Sequence, residues 1–279
     1  MLVATDLDGT LLASDESVSA RTRHAAQAAV SAGIHLVIAT GRPPRWLPRV
    51  LEALELQPTC ICANGALIIE PSRDEVTFVA GLDGVEILAV AETLRAVIPD
   101  VGFAIEKAPR ATEIWSHGTT FAHDDNYRPR WVVPIDVPVG PLHELLDDRP
   151  VLKMLARSER ELSQSEVDAY ATAAMDALRG RVEVTQSERS RMLLEISAIG
   201  IDKGTALARV AGALGITAAN VAAVGDMLND YAMLQWAGHS FAVANAHPML
   251  FDIASELPSN DDDAVAVLLD LAVATRLNR

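Results

Sequence analysis

Short apolar runs separated by helix-length stretches recur at both ends of the chain and are missing from its middle. That alternation is what parallel strands joined by crossover helices produce. At the N-terminal end, Leu2 to Ala4 reads as a buried strand. SVSARTRHAAQAAVSAG reads as a helix with Ser17 or Ser19 as N-cap and Gly33 as its stop. IHLVIATGR is a second strand, PRWLPRVLEALEL a second helix and TCICANGALII a third strand. The rhythm returns near the C-terminus, where KGTALARVAGALG and DYAMLQWAG are helical and NVAAVGD and HSFAVAN are strands. In the final DDDAVAVLLDLAVATRL, Val265, Leu268, Leu269 and Val273 fall at helical spacing. Asp270 interrupts that run, which makes it a core helix and not a membrane segment.

Roughly from residue 83 to 197 the texture changes. VGFAIEK, TEIWSHGTTFA, RVEVTQSE and LLEI look like shorter strands, accompanied by the helix-like VEILAVAETLRAVI and SEVDAYATAAMDALRG. The expectation is an α/β chain. Residues 1–82 and 198–279 form a Rossmann-like parallel sheet core, and residues 83–197 form an inserted α+β domain. With 279 residues, half of them hydrophobic, a substantial core can form. A formal charge of -15, without basic stripes, argues against nucleic acid as a partner. Cys60 and Cys62 sit in an apolar run without further metal-spaced partners, so they read as core packing. No apolar run approaches the roughly 18 residues of a membrane span, and Asp6 arrives before a signal-peptide apolar region could form. A soluble cytoplasmic protein is expected.

In open parallel sheets, ligands bind beyond the carboxyl ends of the strands, so the polar residues there are informative. The first strand ends in Asp6 and Asp8, the second in Thr40, Gly41 and Arg42, and the third in Asn64 and Gly65. NVAAVGDMLND ends in Asp226, Asn229 and Asp230, and Lys203 opens the returning half. Two like charges about 6.5 Å apart on one strand face repel unless a cation or ligand lies between them. Each residue also has an ordinary reading: Thr40 as a cap, Asn64 in a turn, Asp226 as an N-cap, Asp230 as a first-turn acid, Lys203 as a surface cation. The chain carries only three lysines against twenty arginines, which makes the choice of Lys here informative. Together the set places several carboxylates, a hydroxyl and an ammonium at one edge of one sheet. Magnesium takes oxygen ligands, usually one or two carboxylates with water and substrate phosphate. A second carboxylate can move protons, and Asp is an established nucleophile.

DLDGTLL, IATGR, DKGTAL and GDMLND resemble, in order and separation, the four motifs of the haloacid dehalogenase superfamily of phosphotransferases. The TGR spelling, the NGA after the third strand and the late insertion resemble its Cof-like phosphatases, subgroup IIB, with a C2-type cap. The resemblance implies that Asp6 is the nucleophile and a Mg2+ ligand. Asp8 would protonate the leaving group and then activate water, its main-chain carbonyl facing the metal. Thr40 and Lys203 would bind the transferring phosphoryl group, and Asp226 would be a further metal ligand. Asp230 would bind the metal or support its ligands, and Gly9, Thr10, Gly41, Arg42, Asn64 and Asn229 would line phosphate and substrate. Two segments depart from the family's usual spelling: AVANA around Asn245, and NDDDAV from Asn260 to Val265.

Phosphate monoester hydrolysis can demand acceleration of up to about 10²¹, roughly 28 kcal/mol, whereas one positioned proton donor supplies about 10² to 10⁴. Metal, Lys and positioning must carry the rest. The inserted domain would then exclude water and select the leaving group, with Glu113, His117, Lys153 and Arg189 as polar candidates. The expected function is Mg2+-dependent hydrolysis of a small phosphorylated metabolite, a sugar phosphate or phosphorylated cofactor, through an aspartyl-phosphate. The alternatives are a phosphomutase or other phosphotransferase on the same fold, and a non-catalytic phospho-Asp regulatory protein. A signalling receiver would need only about half this length.

Overall fold

The computed structural model describes residues 1–116, 118, 120–129, 136–188 and 192–277. The chain forms two compact units, one from residues 1–78 with 202–279 and the other from residues 79–201.

In chain order the strands are β1 (Leu2–Thr5), β2 (His35–Ala39), β3 (Thr59–Cys62), β4 (Leu67–Glu70) and β5 (Glu75–Val79), then β6 (Val101–Lys107), β7 (Phe121–His123), β8 (Val151–Ser158), β9 (Glu183–Glu188) and β10 (Leu193–Ser197), and finally β11 (Val221–Gly225), β12 (His239–Val243) and β13 (Ser255–Leu257). The helices are α1 (Ala20–Ser31), α2 (Pro48–Leu54), α3 (Gly84–Val97), α4 (Leu142–Leu145), α5 (Gln164–Leu178), α6 (Lys203–Ala213), α7 (Tyr231–Trp236) and α8 (Ala264–Leu277).

The first unit carries an eight-stranded sheet in the order β13-β12-β11-β1-β2-β3-β4-β5. Its strands run parallel from β13 to β3, and β4 turns back antiparallel to β3. Every residue of β1 is buried, as expected of a strand covered on both faces. Leu2 and Ala4 share an apolar cluster with Leu207, Val210 and Ala211 of α6 and with Met233 and Leu234 of α7. Helices α1 and α8 contact each other, and α8 also contacts β1. From β1 the chain winds outward through β2 and β3; from β11 it winds outward the other way through β12 and β13. The direction therefore reverses between β1 and β11, the place where such sheets leave a crevice.

The second unit has a five-stranded sheet in the order β7-β6-β8-β10-β9, with antiparallel neighbours throughout. Helices α3 and α5 pack on one face through Ile87, Leu94, Val167 and Leu178, against Phe103, Met154 and Leu194. Asp83 and Ser163 begin these helices with capping boxes completed by Glu86 and Glu166.

Several local expectations shift. TCICANGALII is two strands, because Ala63 and Asn64 adopt left-handed backbone and reverse the chain before β4. Among the described residues of TEIWSHGTTFA only Phe121 and Ala122 belong to a strand, β7. Strands β5, β8 and β13 were not expected. Ser19, not Ser17, caps α1, accepting the Thr22 N–H at 2.9 Å. Cys60 and Cys62 are buried free thiols. Among the described residues no helix is long and apolar enough to cross a membrane.

Candidate active site

β1 and β11 pair in register, Thr5 opposite Val224, so the residues that follow each strand emerge side by side. Asp6 continues the ladder by one bond, its N–H donating to the Val224 carbonyl at 2.9 Å. Across the reversal, Gly225 leads into Asp226.

Lys203 reaches this point as the first residue of α6. Asp202 caps the helix by accepting the Thr205 N–H at 2.7 Å, and the lysine side chain runs inward from there. Its ammonium donates to one oxygen of Asp6 and one oxygen of Asp230, each at 2.6 Å. Lys203 and Asp230 are fully buried (0%), while Asp6 and Asp226 keep 5% and 8% of their surface. The second oxygen of Asp230 accepts the backbone N–H groups of Asp226 and Met227, both at 3.0 Å. Asp230 thus ties the ammonium to the turn that presents Asp226. A side chain at position 225 would place its Cβ 2.5 Å from the Asp230 carboxyl carbon, so glycine is needed for the carboxylate to cross there.

The three carboxylates of Asp6, Asp226 and Asp230 gather within 4.8 Å of one another. Burial raises the Asp6 carboxyl well above its usual range, with Lys203 opposing and Asp230 and Asp226 adding to the rise. Burial and then the Asp230 charge push Asp226 up to about 6. For Lys203, burial opposes the charged form, but Asp6 and Asp230 outweigh it and the ammonium is held more firmly than usual. One ammonium thus serves a cluster of three buried acids and bonds two of them, Asp6 and Asp230. An all-oxygen donor set with surplus negative charge suits a hard divalent cation such as Mg2+, which would hold Asp6 and Asp226 as anions.

The loop after β1 wraps this cluster. Gly9 has φ +73°, and a Cβ there would lie 2.5 Å from an Asp226 carboxylate oxygen. Thr10 is buried and its hydroxyl donates to Asp226 at 3.3 Å. Gly9→Ala should therefore cost about 1–2 kcal/mol from backbone handedness alone. By moving Asp226 it should also lower turnover about a hundredfold. Thermal melts alongside kcat check this, and a variant with unchanged kcat would contradict the crowding.

The carboxylate of Asp8 lies outside the cluster of three. Arg42 grips it, Nε at 3.0 and 2.9 Å from its two oxygens and a terminal nitrogen on Oδ1. Thr40 is buried and its hydroxyl accepts the Arg42 backbone N–H at 3.0 Å, so Thr40 shapes the turn that aims Arg42. A Cβ on Gly41 would meet the Asn64 amide oxygen at 3.1 Å, and that oxygen accepts from Asn229 at 3.0 Å. The loops after β2, β3 and β11 are thereby joined. In the second unit, Glu113 accepts from Arg149 at 3.3 Å and Lys153 donates to Glu195 at 2.8 Å. His117 and Arg189 lie outside the described residues.

A family model of haloacid dehalogenase-like hydrolases matches residues 3–269. The chain belongs to this family. The 5-amino-6-(5-phospho-D-ribitylamino)uracil phosphatase YcsE of Bacillus subtilis is 30% identical over 267 residues, covering 95% of this chain and 92% of the relative. A phosphoglycolate phosphatase of Natronomonas pharaonis is 31% identical over 246 residues, 88% of this chain and 84% of the relative. Among solved structures, a haloacid dehalogenase-like hydrolase from Bacteroides thetaiotaomicron superimposes with a TM-score of 0.77 at 23% identity, covering 97% and 98% of the two chains. A sugar phosphatase of subclass IIB gives 0.74 at 18% identity, covering 97% and 98%. At these identities the structures speak for the fold, a parallel core with a separate antiparallel sheet. The haloacid dehalogenase-like resemblance of this hydrolase holds across nearly the whole chain.

Two residues with ties to the site, Asn245 and Asn260, lie inside the two segments of unusual spelling and are not among the site residues read from the sequence. The Asn245 amide donates to the Gly9 carbonyl at 2.9 Å, and Asn260 donates to the Leu12 carbonyl at 3.0 Å. Asparagines after short strands are common, so the signal was the position of these segments near strand ends and nothing more specific.

Proposed function

We propose that this hydrolase is a Mg2+-dependent phosphatase that cleaves a small phosphorylated metabolite, a sugar phosphate or phosphorylated cofactor, through an aspartyl-phosphate on Asp6. The observation that carries the reading is the buried ammonium of Lys203 shared between Asp6 and Asp230, with Asp226 beside them. A structural ion pair needs one acid for one base. Here the surplus of acid is concentrated at the sheet's point of reversal.

In this reading Lys203 holds one Asp6 oxygen and so orients the other for attack on phosphorus. The bond from phosphorus to the leaving oxygen breaks as the Asp6 bond forms, and Asp8 hands its proton to the departing oxygen. Asp8 then takes a proton from water, which attacks the phosphoryl group and returns Asp6 to the free carboxylate. Arg42, which grips both oxygens of that carboxylate here, would release one for Asp8 to carry the proton. Thr40, Gly9, Thr10, Asn64 and Asn229 frame the phosphoryl group, while Asp6, Asp226, Asp230 and the Asp8 main-chain carbonyl would hold Mg2+. When bound, the cation supplies charge neutralisation for the phosphoryl oxygens. The 5-amino-6-(5-phospho-D-ribitylamino)uracil phosphatases and the phosphoglycolate phosphatase among the relatives support a small phosphate monoester as substrate.

The test is release of inorganic phosphate from a panel of phosphorylated metabolites and a generic aryl phosphate. Release should need added Mg2+, fall to background with excess chelator and return when Mg2+ is restored. Turnover indifferent to chelation would overturn the metal assignment, and absence of phosphate release across the panel would overturn hydrolysis.

A further inference from the structure

Both segments that depart from the family's usual spelling converge on the loop carrying Asp6 and Asp8. Asn245, after β12, donates its amide N–H to the Gly9 carbonyl at 2.9 Å. Its amide oxygen accepts the backbone N–H of Asn260 at 3.0 Å. Asn260 is itself buried and donates to the Leu12 carbonyl at 3.0 Å. The neighbouring acids continue the fastening: Asp261 accepts from the Ser14 N–H and hydroxyl, both at 2.7 Å, and Asp263 accepts from Thr22 at 3.3 Å and from the Ser19 hydroxyl. Five side-chain and backbone groups of the early segment are thus held from one turn near the C-terminus, and Asn245 links that turn to Gly9.

We infer that Asn245 and Asn260 are positioning residues of the reaction, setting the direction of the Gly9–Thr10 peptide beneath the phosphoryl site. The reason is planarity. In a trans peptide the carbonyl and the following N–H point in opposite directions, so fixing the Gly9 carbonyl fixes where the Thr10 N–H points. Gly9 needs such restraint, since a residue with no Cβ enters its left-handed conformation at little cost and leaves it as easily. The same peptide joins Gly9, whose Cα lies under Asp226, to Thr10, whose hydroxyl binds Asp226. A rotation of that one peptide would therefore displace a proposed metal ligand and the loop bearing Asp8 together. The inference rests on the phosphatase reading and assigns Asn245 and Asn260 a share in it.

Asn245→Asp tests the point with a change of one atom. It keeps an acceptor for the Asn260 N–H, removes the donor to Gly9 and sets a carboxylate against the carbonyl. Asn245 is exposed, so the fold should survive. Asn260→Asp removes the donor to Leu12 in the same way. With the aryl phosphate as substrate, each variant should lose about tenfold to a hundredfold in kcat, the scale of residues that support ligating side chains. For the exposed Asn245→Asp, KM and the melting temperature should stay at wild-type values. Asn245→Gln, which restores an amide donor on a longer arm, should recover part of the loss. Wild-type kcat in Asn245→Asp overturns the inference, as does a kcat loss matched by a proportional fall in melting temperature, which would mark a purely structural tie. If the wild-type chain releases no phosphate, the phosphatase reading falls and this inference with it. If the wild type turns over and Asn245→Asp equals it, only this inference falls.

Discussion

Asp6→Asn should reduce phosphate release by about 10⁴-fold or more while the protein stays folded. Losses of that size follow when the attacking group of a covalent mechanism is removed and the binding groups are left in place. The substitution is nearly isosteric. The amide oxygen can still accept from Lys203, and Lys203 also keeps its 2.6 Å bond to Asp230, so no buried ammonium is stranded. What is lost is the anionic oxygen proposed to attack phosphorus and one of three buried acids. Kinetics with the aryl phosphate, paired with circular dichroism and a thermal melt, separate chemistry from folding. A folded Asp6→Asn protein within tenfold of wild-type turnover would remove the covalent step from the mechanism. A variant that is inactive and unfolded would leave the step to be judged by trapping phosphate on the wild-type carboxylate.

The part of the site read most directly from the sequence is the part that parallel topology dictates. Asp6 and Asp226 lie far apart in the chain, yet both were placed together because carboxyl ends of neighbouring parallel strands converge whatever the chain length between them. The strand and helix rhythm of the first unit was legible for the same reason: strands buried on both faces are nearly continuous apolar runs. Contacts made by side chains that reach sideways were not legible. Nothing in the spacing of Asp8 and Arg42 says that the guanidinium will grip that carboxylate. The reversal at Ala63 and Asn64 was hidden because both halves of TCICANGALII are apolar, and an apolar run does not record a change of direction. Strand β8 escaped notice because Lys153 and Arg157 break its apolar character. In the fold Lys153 is neutralised by Glu195 on the adjacent β10, and the Arg157 guanidinium stacks over Tyr127 at 5.6 Å. The alternate residues Met154 and Ala156 face the helices as a half-buried strand requires.

Lys203→Met should be the most destabilising single change at the site, more so than loss of any one carboxylate. The methionine fills a similar volume but leaves Asp6 and Asp230 buried without their shared cation. Removing one partner of a buried ion pair typically costs about 3–5 kcal/mol, because an uncompensated charge remains. In a unit of this size that is a fall in melting temperature of roughly 10 °C. The direction with pH follows from the Asp6 carboxyl, which burial already raises above its ordinary value and which Lys203 alone pulls back. Without Lys203 it rises further. A carboxyl with a raised folded-state pKa favours folding fully at pH below its unfolded value, and that contribution is lost as pH climbs through the folded value. The stability gap between wild type and Lys203→Met should therefore widen as pH rises and narrow as pH falls. Added Mg2+ should also raise the variant's melting temperature, since a cation that binds only the folded cluster stabilises it by mass action. A gap that widened on acidification would mean that the two carboxylates are not the source of the loss, and that Lys203 supports the fold through its packing and not its charge.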